Sequence, residues 1–161
     1  MIAVSDAGPL VATARIGRLD LLPSLFGRIC VPPSVWREVV VSGKGLAGSE
    51  ETATAEWIRV WEVRDKAAVA FYKDKLDPGE SEAIALALQL RADILLMDEA
   101  PGRRTAEALS LNKIGTVGIL ILAEEFRLIA GVTPLLESLR ARGFYMSEEL
   151  YSKARAMAGE L

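Results

Sequence analysis

Asp6, Glu38, Glu80 and Asp98 are the side chains of this sequence whose type and spacing could do chemistry. They are far apart along the chain, yet each lies beside an apolar run that would carry it to one edge of a sheet. Carboxylates gathered at one edge repel by several kcal/mol at intermediate dielectric, so they need a cation, a proton or separation. Two to four of them can hold one or two hard cations such as Mg2+ or Mn2+ through oxygen ligands. With two ions about 3.5–4 Å apart, both the attacking and the leaving oxygen of a phosphodiester are stabilised, and ion-bound water becomes the nucleophile. Glu82 and Glu99 lie close to two of these positions and could substitute or assist.

Each acid also has a plainer explanation. Asp6 could cap a helix starting after Gly8, and Asp98 one starting after Pro101. Glu80 could favour a helix dipole, and Glu38 could be a solvated position on an amphipathic helix. Arg103 and Arg104 follow Asp98 after Glu-Ala-Pro-Gly. They could grip a backbone phosphate by charge-assisted hydrogen bonds, or form only a solvated helix start. Lys113 and Arg37 are weaker candidates for that task, and Thr116 could bond a metal-bound water or simply form a turn.

What the chain lacks narrows the choice. Among 161 residues there is no histidine, which excludes Ser–His–Asp and Cys–His chemistry, imidazole–zinc sites and histidine bases. Carboxylate–metal hydrolysis needs none. The lone Cys30 reads as a buried strand residue, permits no disulfide framework and fits a reducing cytoplasm. A net charge of −3 gives no support for nucleic-acid binding, but an acidic cluster can mask a local basic patch. Half the residues are apolar, a surplus that suggests one face meets a partner or a second copy. Met1–Asp6 has no signal-peptide character. The longest apolar stretch, 117–123, is too short to span a bilayer.

The elements that must position these side chains follow from periodicity and punctuation. Ile2–Ser5 predicts a first strand, with a helix running from Pro9 to before Gly17. Leu21–Phe26 predicts a helix, Arg28–Val31 a strand, and Pro32-Pro33-Ser34 the start of a third helix through Val41. Residues 43–48 form a break. Ser49–Trp57 reads as helix, Val60–Val63 as strand, and Ala67–Leu76 and Gly79–Leu90 as helices, the last apolar nearly all round. Ile94–Met97, flanked by Asp93 and Asp98, reads as a parallel strand covered on both faces. Arg103–Leu111 reads as helix, Lys113–Thr116 as strand, and the rest from 117 as helix with breaks at Gly131, Pro134 and Gly143. Alternating strands and helices of this length argue for one domain, an α/β/α sandwich on a mainly parallel sheet with a helical C-terminal extension. In such sheets ligands bind beyond the carboxyl ends of the strands, where Asp6 and Asp98 would both stand.

Val-Ser-Asp-Ala-Gly-Pro-Leu at 4–10, Val-Pro-Pro-Ser-Val-Trp-Arg-Glu-Val at 31–39, Leu-Asp-Pro-Gly-Glu-Ser-Glu-Ala-Ile-Ala-Leu-Ala at 76–87 and Leu-Leu-Met-Asp-Glu at 95–99 resemble the PIN domain. The nearest likeness is to a VapC-toxin-like prokaryotic branch, shared by Gly-Thr-Val-Gly-Ile-Leu at 115–120 and Arg-Gly-Phe-Tyr-Met-Ser at 142–147. The resemblance implies a PIN-like fold and a Mg2+- or Mn2+-dependent endoribonuclease, the toxin of a toxin–antitoxin pair, often a homodimer. It makes Asp6 the first acid, Glu38 the second and Asp98 the fourth, with Glu80 or alternatively Glu82 as the third. Many PIN domains place a hydroxyl after the first aspartate; Ala7 stands there, leaving that supporting role to Ser5 or to nothing.

Two other classes compete. A phospho-aspartyl phosphatase or acceptor domain would use an aspartyl nucleophile, but Gly8 occupies the position where a dehalogenase-type site wants a second aspartate. A non-catalytic PIN-fold interaction module would explain the apolar surplus and the helical C-terminal third.

Overall fold

The structure, a computed structural model, describes residues 1–160. Five short strands form its centre: β1 (Ala3–Ser5), β2 (Ile29–Val31), β3 (Ile58–Val60), β4 (Ile94–Leu96) and β5 (Lys113–Ile114). They lie in the order β3-β2-β1-β4-β5, and every pairing is parallel. Parallel neighbours require crossover connections, and helices supply them. The chain steps outward from β1 through β2 to β3, then returns to place β4 on the other side of β1. The strand order therefore reverses between β1 and β4.

The helices are α1 (Ala7–Arg15), α2 (Leu21–Phe26), α3 (Pro33–Trp36), α4 (Ser49–Thr54), α5 (Lys66–Tyr72) and α6 (Pro78–Leu90). They continue with α7 (Ala100–Ala108), α8 (Thr116–Glu125), α9 (Thr133–Ala141) and α10 (Glu148–Met157). Strand side chains alternate between faces, and the packing follows. Val4, Leu95 and Met97 meet α5, α6 and α7 on one face. Ala3, Ile29, Val31 and Leu96 meet α1, α2, α3 and α8 on the other. Helix α6 has no solvated side in its centre, as its composition predicted: Ala83, Ile84, Leu86 and Ala87 are all fully buried. Burying each such Ile or Leu side chain contributes roughly 1.5–3 kcal/mol, so the sheet is held on both faces.

A third apolar cluster joins α8, α9 and α10 to α1 and α2 through Leu21, Leu120, Leu136, Leu139 and Met146. The C-terminal third is thus packed on the sandwich. Its last described residue closes it: Glu160 accepts from the backbone N–H groups of Val132 (2.8 Å) and Thr133 (3.0 Å) at the start of α9.

Several boundaries differ from those the sequence predicts. The third strand lies at Ile58–Val60, not Val60–Val63, because Ile58 and Val60 pair with Ile29 and Val31. Val63 leaves the sheet and is buried beneath α5 and α6. Helix α7 starts at Ala100, three residues before the predicted Arg103, since Pro101 fits a first turn whose N–H needs no partner. Strand β5 ends at Ile114, and Thr116 opens α8. Pro134 likewise opens α9 rather than breaking a helix. The third helix does not run evenly to Val41: after Trp36 it widens into a π-helical turn, Arg37–Ser42. A side chain at Gly43, just past it, would come within 2.5 Å of the Val39 carbonyl oxygen.

Candidate active site

The reversal of strand order fixes where the acids stand. Ser5 pairs with Leu96, and the Asp6 N–H donates to the Leu96 carbonyl at 2.9 Å. Asp6 therefore emerges directly past β1, and Asp98 two residues past β4, at the carboxyl end of the sheet. Open α/β sheets bind ligands at such a switch point.

Asp6 occupies the residue before α1, but its carboxylate makes no capping hydrogen bond. It is 6% exposed. Burial raises its pKa from 3.8 to about 7; the Ala7 N–H works against this, while Asp77, Glu80 and Glu38 push it further up. The carboxylates of Glu38 and Glu80, remote in sequence, are thus close enough to repel it. A cap does not account for Asp6.

Glu80 is held by the way α6 begins. The Glu80 N–H donates to Asp77 Oδ1 at 2.7 Å, and the Asp77 N–H donates to Glu80 Oε1 at 3.1 Å. This reciprocal box satisfies two otherwise orphaned donors, with Pro78 in the first turn. It commits Oε1 and leaves Oε2 buried with no hydrogen-bond partner among the described residues. Burial raises the Glu80 pKa, the Asp77 N–H lowers it, and the charges of Asp77 and Glu99 raise it again. Glu38 rides the π-helical turn at an exposed position. Partial burial and the charge of Asp77 raise its pKa as well.

Three glycines keep this edge open. A β-carbon at Gly79 would sit 3.2 Å from Asp6 Oδ1 and 3.5 Å from Asp77 Oδ1. One at Gly102 would sit 3.0 Å from Glu80 Oε2, and one at Gly8 would sit 3.1 Å from Asp98 Oδ2. Asp98 is fixed differently. Thr116 donates to both its oxygens, from the backbone N–H at 2.6 Å and from the hydroxyl at 2.7 Å. It thus ties the start of α8, not α7, to the sheet edge. Burial raises its pKa, and the Thr116 bonds and Arg103 oppose the rise.

Among the described residues no three carboxylates converge as a ready-made ligand shell for an ion. The donor set nevertheless fits a hard divalent cation. It is all oxygen, crowded with like charge, and includes the unpartnered Glu80 Oε2. The chain as a whole decides the family. Residues 2–160 match the PIN domain.

The chain belongs to the PIN domain family. No curated protein and no solved structure matches it. PIN domains are generally nucleases and typically use divalent metal ions, which agrees with an acid edge that has no histidine. In this PIN domain Glu38 and Glu80 stand near enough for their charges to act on Asp6, and Asp98 lies against Gly8.

The other candidates separate. Glu82 points to α3, where its Oε1 accepts from the Ser34 N–H at 2.9 Å and the Ser34 hydroxyl at 2.6 Å. Glu99 is exposed beside Glu80 and raises that residue's pKa. Arg103 donates to the Met97 carbonyl at 2.9 Å and stands next to Asp98. Arg104 is exposed and lines a separate cleft with Phe71, Tyr72 and Leu76. Lys113 pairs with Glu107 at 3.6 Å, and Arg37 is exposed. The Ser5 hydroxyl donates to the Asp6 carbonyl at 2.8 Å, holding the backbone and not the carboxylate. Asp77, which falls between the two helices the sequence predicts at Ala67–Leu76 and Gly79–Leu90, is an acid of this edge not among the sequence candidates. Its signal was present: an Asp three residues before a Glu, with Pro between, is a capping-box start.

Proposed function

We propose that this PIN domain is a Mg2+- or Mn2+-dependent endoribonuclease and the toxin of a toxin–antitoxin pair. The observation that carries the reading is Asp6, buried at the switch point and raised to about 7 by that burial and by the charges of Asp77, Glu80 and Glu38, in a site where Glu80 Oε2 is buried without a partner. Such an arrangement is costly without a cation and becomes favourable with one. Asp6 and the unpartnered Glu80 Oε2 would hold the ion, with Asp77, Glu38 and Asp98 completing the acid edge. The bound ion would polarise a phosphate oxygen and acidify a water. Arg103, fixed by the Met97 carbonyl, presents its remaining donors beside Asp98, where a phosphate would sit. The toxin role, a homodimeric state, a cytoplasmic setting and an antitoxin that covers the acid edge with a cationic side chain rest on likeness to VapC-type sequences.

The chain purified to homogeneity should gain thermal stability from Mn2+ or Mg2+ and cleave RNA with either ion. Asp6→Asn should lose both effects. Cleavage that survives Asp6→Asn together with EDTA removes the reading. Induced expression should arrest growth, and a small neighbouring reading frame should relieve the arrest.

One observation favours a second reading, a protein-interaction module. Phe71 is 78% exposed at the mouth of a cleft of about 610 Å3 lined by Tyr72, Leu76, Pro101 and Leu109. Metal binding without cleavage of any RNA would support it. The phospho-aspartyl alternative loses ground, since position 8, where its second aspartate would stand, is a glycine at which even a β-carbon would crowd Asp98 Oδ2 at 3.1 Å.

A further inference from the structure

Two clefts of about 500 Å3 each open on either side of Asp98. Arg15 and Arg142 line the first, and Arg103, Lys113 and Lys153 line the second. These cations come from five separate parts of the chain, so no basic stripe shows in the sequence. Acidic side chains in the clefts are fewer: Asp98 in both and Glu99 in the first. Lys113 is partly spent on Glu107. Tyr145 lines both clefts and is 86% exposed.

The segment carrying Tyr145 is held on both sides. Gly143 takes a φ of +90°, which turns the chain out of α9, and the Phe144 N–H returns to the Leu139 carbonyl at 2.9 Å. Phe144 and Met146 both pack into the cluster of α8, α9 and α10. Alternation between these two anchors turns Tyr145 outward. Ser147 then caps α10 by accepting from the Leu150 N–H. A tyrosine ring presented to water by a fixed backbone, between two cation-lined clefts, is a ready stacking surface.

We propose that Tyr145 is a stacking platform for an unpaired base of single-stranded RNA whose phosphates lie in the two clefts flanking Asp98. This rests on the nuclease reading above and adds a positioning residue to it. The substrate crosses the acid edge with one base lifted onto the ring, which places a neighbouring phosphodiester over Asp98. Duplex RNA cannot bind this way, because its bases are already stacked on each other.

The test uses the full chain and a labelled twelve-nucleotide RNA, as single strand and as duplex. Binding is read by anisotropy in EDTA, and cleavage KM and kcat are read with Mn2+. Tyr145→Ala should weaken single-strand binding about 5- to 150-fold, the range expected for one base–aromatic stack. It should leave duplex binding and the salt slope unchanged. Tyr145→Trp should retain binding, while Tyr145→Leu, which keeps apolar area without a π face, should lose it. Lys153→Ala should instead lower the slope of log K against log salt by about 0.7. A Tyr145→Ala protein matching wild type in single-strand affinity and KM, while wild type cleaves RNA, overturns the platform and leaves the nuclease reading standing. Equal retention by Tyr145→Leu overturns it as well. A wild-type chain that neither binds nor cleaves RNA overturns both.

Discussion

Replacing Asp6 by asparagine should make the protein more stable, and by an amount that grows with pH. A carboxyl whose pKa rises from 3.8 in the open chain to about 7 on folding binds its proton more tightly when folded. Between those values the folded state carries more protons than the unfolded, so stability falls as pH rises through that window. Relative to acid, the stability lost is about 2 kcal/mol by pH 5.5, where the folded group still holds its proton, and approaches about 4 kcal/mol at pH 8, where both forms are ionised. Asparagine keeps the shape and has no charge to desolvate, but its amide must still find partners, so these figures are ceilings. Urea unfolding of both proteins in EDTA at the two pH values measures the gap directly. We expect Asp6→Asn to be more stable by about 1–4 kcal/mol at pH 8, with the advantage shrinking at pH 5.5. With Mn2+ at saturation, wild type should recover the difference and the variant should not. A variant less stable than wild type at pH 8, or a gap that ignores pH, would refute the claim that Asp6 is held under charge stress.

Glu80→Gln should abolish the Mn2+-induced stabilisation, whereas Glu82→Ala should leave it intact and destabilise the fold by about 1–2 kcal/mol through loss of the Ser34 contacts; thermal scans with and without Mn2+ separate the two. Thr116→Val removes the hydroxyl that donates to Asp98 Oδ2 and should cost about 1–3 kcal/mol in urea unfolding, with a lower kcat as Asp98 loses its fixed orientation. Glu160→Ala should destabilise α9 by about 1 kcal/mol at neutral pH. Its pKa is lowered in the fold by the Val132 and Thr133 donors, so this contribution holds above the ordinary carboxylate range and vanishes as pH falls through the folded value. Urea midpoints of wild type and variant should converge in acid.

The sequence carried the sheet and its acid edge because both follow from local signals. Ile94–Leu96 is an uninterrupted apolar run that suits a strand covered on both faces, and the structure buries Leu95 and Leu96 there, with Ile94 partly covered. The placement of Asp6 and Asp98 then follows from parallel pairing alone. Edge strand β3 was misplaced because half-exposed residues carry no alternation to read: Arg59 and Val60 are both exposed. The π-helical turn under Glu38 has no composition of its own to announce it. Asp77 was missed because its Asp-Pro-Gly context serves equally for a turn and for a helix start. The cations around Tyr145 converge only through tertiary packing, from Arg15 in α1 to Lys153 in α10, and no window of sequence holds them together.

The capping box at the head of α6 divides one carboxylate between two tasks. Glu80 Oε1 closes the first helical turn on the Asp77 N–H, while Oε2 is buried without a partner near Gly102. An ion drawn to Oε2 would therefore pull on the same side chain that fastens the helix start. Site occupancy should register as slower hydrogen exchange at the Asp77 and Glu80 amides, a local reporter that needs no RNA and no turnover. Because the centre of α6 is buried against one face of the sheet, that reporter sits at the head of a core helix. Catalytic precision and core integrity would then be one inherited property, and selection could not loosen either without the other.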